Sequence, residues 1–197
     1  MDSHQMRRFR VEQSIRDELN ATIEERVNRF LEMAPKGVVA NHHFSAASAE
    51  CIELYRDGHF ISAVMVSQAV NEGMMRFVAE TNNICLQKKG QEGKTKGIPD
   101  LIDELHKQGI ISTNCANASR RICGSFRNDV HHMNPGVVKV PFREIAKRNL
   151  GDLMTIENEV FAAQFAPDGS VILGQPKYWT SGNDEKVSAF LRLEPGL

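Results

Sequence analysis

The sequence has no apolar run approaching the roughly 18 to 20 residues that a membrane-spanning helix requires. Its charged opening, MDSHQMRRFRVEQ, lacks the apolar stretch of a signal peptide, so the expected compartment is the cytoplasm, with no membrane partner. It also lacks a charge excess. A formal net charge of -1 sets up no field that draws nucleic acid or an anionic surface to the whole molecule, so any polyanion must meet a local patch. Cysteine is sparse: Cys51, Cys85, Cys115 and Cys123 match neither a CxxC zinc pair nor a dense disulfide framework, and read as reduced and mostly buried. No internal repeat and no low-complexity segment stands out. What remains is an ordinary globular composition, 41% apolar and 25% charged over 197 residues, enough for one well-cored domain.

Helical periodicity dominates. Residues 5–34 place Ile15, Leu19, Ile23, Val27, Phe30 and Leu31 every three or four positions, predicting one long amphipathic helix broken by Pro35 and Gly37. Its mixed charges suit a solvated face, and its apolar stripe suits a partner helix. A second helix is expected over 45–56, with Asp57-Gly58 as its stop, and a third over 59–80. The third is the core candidate because apolar residues cover much of its circumference, which makes its polar members Ser67, Gln68, Asn71 and Glu72 conspicuous. The lysine- and glycine-rich stretch 85–97 reads as a mobile basic loop. Helices are then expected over 98–107, over 114–132 up to Asn134-Pro135-Gly136, and from about 142 to 165 behind Pro141. Strand-like runs at 170–173 and 187–193 surround Tyr178 and Trp179 and suggest a small hairpin packed on the helices. The expected fold is therefore mainly α, a bundle of about five to six helices with a small C-terminal β-hairpin. Its parts are an N-terminal helical arm (1–40), the bundle (41–166) and a strand-like tail (167–197).

Chemistry concentrates in Ser-Phe-Arg-Asn-Asp-Val-His-His-Met-Asn-Pro. Arg127 offers a planar fork of donors suited to phosphate oxygens, and His131 and His132 can move protons near neutral pH. In an unbroken helix Arg127 and His131 lie roughly 40° apart and Arg127 and His132 about 140°, while Asn128 and His132 form their own i, i+4 pair. Both histidines remain candidates. The plainer alternative is that Arg127 pairs with a neighbouring acid while Asn128 and the histidines cap a helix C-terminus. Glu72 can either orient Arg127 or a histidine, or form an ordinary ion pair. Between residues 88 and 132, eight cations face five acids, a modest basic bias that suits either an RNA approach or a solvated surface. His42-His43 has no Asp, Glu or Cys at a spacing that completes a metal site. Tyr178 and Trp179 have the shape to stack on a base, although aromatics in a small hairpin more often bury themselves.

Arg127-Asn128-Asp129-Val130-His131-His132 resembles the Arg-x4-His signature of the HEPN superfamily. The resemblance extends to Tyr55-Arg56-Asp57-Gly58-His59-Phe60 leading into an Ala/Val-rich helix with Glu72, then Leu101 to Gly109, and covers roughly residues 44–165. It implies a helical, often dimeric protein and a metal-independent ribonuclease without a cofactor, acting in toxin–antitoxin or other defence systems against phage. It implies Arg127 and His132 as the catalytic pair with Asn128 in support, His131 standing beside the expected histidine. The expected partners are RNA, a second copy, and an antitoxin or other defence-system protein. The alternative is a non-catalytic module of the same fold that binds RNA, a nucleotide or a protein.

Overall fold

The structure, a computed structural model, describes residues 2–33, 37–88, 93–125, 135–168, 170–180 and 187–192. It is mainly helical. In chain order the elements are α1 (Ser3–Leu31), β1 (Val38–Ala40), α2 (Ser45–Arg56), α3 (Phe60–Thr81), α4 (Ile98–Lys107), α5 (Thr113–Cys123), α6 (Phe142–Val160), β2 (Ala163–Phe165), β3 (Val171–Leu173) and β4 (Ala189–Leu191). Short 3-10 turns occupy Pro135–Lys139 and Pro176–Tyr178. Among the described residues no helix is long and apolar enough to cross a membrane.

Helix α3 is the hub and packs against α2, α4, α5 and α6. Its buried residues run around the helix: Val64, Val70, Met74, Met75, Val78 and Ala79 meet apolar neighbours, whereas Ser67, Gln68 and Asn71 are buried polar groups. Helix α4 shows the simplest sequence logic. Ile98, Leu101, Ile102 and Leu105 share one face and are buried, Pro99 occupies the first turn, and Gly109 takes φ +70° just past the end. The turn between α2 and α3 needs Gly58 at φ +86°, a left-handed conformation that a side chain resists.

Helix α1 is a single long element, as expected, but its apolar stripe is not its docking face. The inward residues are Thr22, Arg26, Arg29 and Phe30, with Met33 just beyond. Arg29 donates to the Arg56 carbonyl at 2.7 Å, pairs with Glu25 at 3.2 Å and lies over the Phe60 ring, while Arg26 pairs with Asp57 at 3.5 Å. At the far end of the arm Glu32 accepts from Tyr55 Oη at 2.7 Å and meets Arg143 and Lys147 of α6.

The strands pair in a way the local pattern does not announce. The runs 170–173 and 187–193 do not pair with each other. Strand β3 pairs antiparallel with β2, whose residues fall inside the helix expected to reach 165, and β4 pairs antiparallel with β1 from the end of the N-terminal arm. Helix α6 stops at Val160 because the chain turns there into the β2–β3 hairpin, closed at its base where Gly174 N donates to the Ala162 carbonyl at 2.7 Å. A side chain at Gly174 would strike Ala162 Cβ at 2.8 Å, so the close approach requires glycine. The β1–β4 pair is pinned by a buried cluster. Arg192 donates to Glu157 of α6 at 2.5 and 2.8 Å and to Ser48 of α2 at 2.6 Å. The described flanks of the expected loop at 85–97 also pair antiparallel: Lys88 N donates to Lys94 O and Lys96 N to Leu86 O.

Candidate functional site

Arg127, Asn128, His131 and His132 fall within residues 126–134, outside the described residues. The helix expected over 114–132 ends earlier: α5 stops at Cys123, with Gly124 as its C-cap and Ser125 N donating to the Ile122 carbonyl at 3.1 Å. Its start is held by Ser112, whose hydroxyl accepts from Cys115 N while its backbone N–H donates to Glu159 of α6 at 2.7 Å.

The point at which the chain leaves α5 toward the motif is clamped by buried amides and hydroxyls. Gln68 Nε2 donates to the Ser125 carbonyl at 2.7 Å and to its hydroxyl at 3.0 Å. Asn149 Nδ2 of α6 reaches the same hydroxyl at 2.9 Å and the Ser67 hydroxyl at 3.0 Å. Ser125 Oγ donates to the Ile122 carbonyl, so its one donor and both acceptor positions are used. One turn earlier Ser119 Oγ donates to Asn71 Oδ1 at 2.8 Å, and Asn71 Nδ2 donates to Cys123 Sγ at 3.3 Å. None of these amides or hydroxyls titrates near neutral pH, so the network holds position and moves no protons. Each cluster is costly to disturb, because the buried groups within it depend on one another for their hydrogen bonds.

Of the polar quartet on α3, Ser67 and Gln68 belong to the Ser125 cluster and Asn71 to the Ser119 cluster. Glu72 accepts from Arg76 at 2.9 Å and lines a cleft of about 280 Å³ with Gln68, Gly97, Ile98, Pro99 and Cys123. Gln68 therefore touches both the clamp and the cleft. Local spacing gives no structural role to Ser125, Ser119 or Asn149. The signal available was Asn149, an amide on the face of α6 that otherwise buries Ile145, Ala146, Leu150 and Leu153.

The basic bias is partly spent on local pairing. Arg120 pairs with Asp103 and Arg121 with Asp152, each at 2.6 Å, Lys96 pairs with Glu104, and Lys88 stands 3.6 Å from Asp100. Tyr178 and Trp179 are buried against the helices, so neither presents a ring face for base stacking. His42 packs among Phe44, Phe77 and Phe161, and its Nε2–H donates to the Tyr178 carbonyl at 2.7 Å. Burial lowers its pKa below the usual imidazole value, the Tyr178 contact opposing that shift and the neighbouring His43 adding to it. Among the described residues no group of three or more His, Cys, Asp or Glu side chains is arranged to hold a metal ion. No family model, curated protein or solved structure matches this chain.

Proposed function

We propose that the chain is a metal-independent endoribonuclease of the HEPN type, serving as the effector or toxin of a prokaryotic defence or toxin–antitoxin system. The motif Arg127-Asn128-Asp129-Val130-His131-His132 supplies the chemistry. The observation that supports the reading is the clamp on Ser125. A helical core commits Ser67, Gln68 and Asn149 to hold the residue from which the motif segment departs, and such support is what a site needing fixed geometry requires.

In the proposed reaction the ribose 2′-oxygen attacks the adjacent phosphorus. The new O–P bond forms as the bond to the 5′-oxygen breaks, leaving a 2′,3′-cyclic phosphate and a 5′-hydroxyl. His132, or His131 in its place, takes the 2′ proton, and a proton is delivered to the departing 5′-oxygen. Arg127 binds the phosphate and stabilises its developing charge, with Asn128 in support.

The test is incubation of purified protein with a mixed RNA pool, followed by analysis of the new ends. Expected are cyclic-phosphate and 5′-hydroxyl termini, undiminished by EDTA and lost in Arg127→Ala and His132→Ala variants that melt like the parent. Cutting that both variants retain would remove the motif from the reaction. RNA binding that survives His132→Ala, with no new ends after long incubation, would instead assign a non-catalytic binding module.

A further inference from the structure

Helix α1 spans 29 residues, about 43 Å at 1.5 Å per residue. Val11, Ile15, Leu19, Ile23, Val27 and Leu31 recur every fourth position and form one continuous ridge. All six are between 39% and 73% exposed, because α1 turns Thr22, Arg26, Arg29 and Phe30 toward the rest of the chain. The ridge thus has no partner within the described residues, and such a row of aliphatic side chains in water favours association.

The charges beside the ridge say which partner fits. Its N-terminal half carries Arg7, Arg8, Arg10 and Arg16 against Glu12 and Asp17. Its C-terminal half carries Glu18, Glu24 and Glu25; of the two arginines there, Arg26 pairs with Asp57, and Arg29 with Glu25 and the Arg56 carbonyl, so Glu18 and Glu24 are the acids that set the charge of that end. On either side of the ridge stand Arg8 and Arg10 near one end and Glu18 and Glu24 near the other. A helix basic at one end and acidic at the other is complementary to itself only when reversed.

We propose that α1 is a self-association surface on which a second copy of this chain packs antiparallel, ridge against ridge, with the arginine end of each copy beside the glutamate end of the other. Such a pair has two-fold symmetry, the commonest arrangement of soluble homo-oligomers. A four-residue spacing is not the heptad seam of a coiled coil. It packs with crossed axes over a few turns, so the association is reversible and concentration-dependent rather than obligate. The surface lies on residues 11–31 of α1, and its test does not depend on RNA cleavage.

Sedimentation of the full-length protein over a concentration series tests it. The parent is expected to self-associate, less strongly as salt rises and screens the charged flanks. Leu19→Glu should lower the association constant at least tenfold with an unchanged melting temperature, since Leu19 is solvent-exposed in the single chain. Arg8→Glu with Arg10→Glu, or Glu18→Arg with Glu24→Arg, should each abolish association, and all four together should restore it. That rescue separates the antiparallel pair from a parallel one, in which like ends meet and single-end reversal changes little. A parent monomeric at hundreds of micromolar, or association indifferent to Leu19→Glu and to both single-end reversals, would overturn the proposal.

Discussion

Gln68 Nε2 lies 2.7 Å from the carbonyl oxygen of Ser125 and 3.0 Å from its hydroxyl, so one amide in the middle of α3 fixes the residue at which the chain leaves α5. Because Asn149 reaches the same hydroxyl from α6, three helices converge on a single serine. Helix packing is thereby coupled, through neutral hydrogen bonds, to the position of Ser125 itself.

Replacing Gln68 by Leu leaves the buried Ser125 carbonyl and hydroxyl each short of one donor. The expected loss is about 1–3 kcal/mol of stability, read from urea denaturation. On the ribonuclease reading, RNA cleavage should fall further at a temperature where the variant is still fully folded. Cleavage at the parental rate would show that the clamp serves stability alone.

The Glu157–Arg192 pair is almost fully enclosed, and Ser48 donates to the same carboxylate at 2.6 Å. Removing one charge strands the other. Glu157→Ala should therefore cost roughly 3–5 kcal/mol, far more than loss of an exposed pair such as Arg16 with Glu12. Thermal melts of Glu157→Ala and Glu12→Ala side by side check the contrast.

Cys51 and Cys115 are buried, and burial pushes both thiols up to about 12, whereas Cys85 is exposed. A thiol reagent at mildly alkaline pH should label Cys85 rapidly in the native protein and reach Cys51 and Cys115 only after denaturant is added. Cys85→Ser should remove the fast phase and leave only slower native-state labelling of Cys123, which is half-buried beside the cleft. A fast phase that persists in that variant would contradict the burial pattern.

His42 titrates below its ordinary value of 6.5 because burial disfavours the imidazolium. Below pH 6.5 the unfolded chain therefore binds a proton that the folded chain resists. The stability present above that pH is lost as pH falls through the window down to the depressed folded value. The melting temperature should drop between pH 7.5 and pH 5, and the drop should be smaller in His42→Gln, which keeps an N–H for the Tyr178 carbonyl without titrating. Equal drops in parent and variant would exclude His42 as the source.

Helices α2 and α4 were legible to within a residue because their stop signals are local: Asp57-Gly58 and Gln108-Gly109 break a helix whatever packs on it. The far end of α5 was not legible. Nothing near Cys123 in sequence marks a stop beyond Gly124, and the groups that hold Ser125 come from α3 and α6. Asn71 and Gln68 stand out as polar residues on an oily helix, but their partners lie about fifty residues away, beyond the reach of any periodicity. Of the candidate site, Glu72 is the one residue within the described chain, and its partner Arg76 sits one turn along the same helix.

By itself the sequence determined the helical character of this protein, its hub helix and the length of its first helix, because these follow from spacing, caps and breakers acting within a few residues. Only the tertiary structure decided that β4 joins β1 rather than β3, and that α1 docks through Arg26 and Arg29 while its aliphatic ridge faces water. Strand partners and buried hydrogen bonds are chosen among groups distant in the chain, and that choice depends on which surfaces the packed helices leave facing one another.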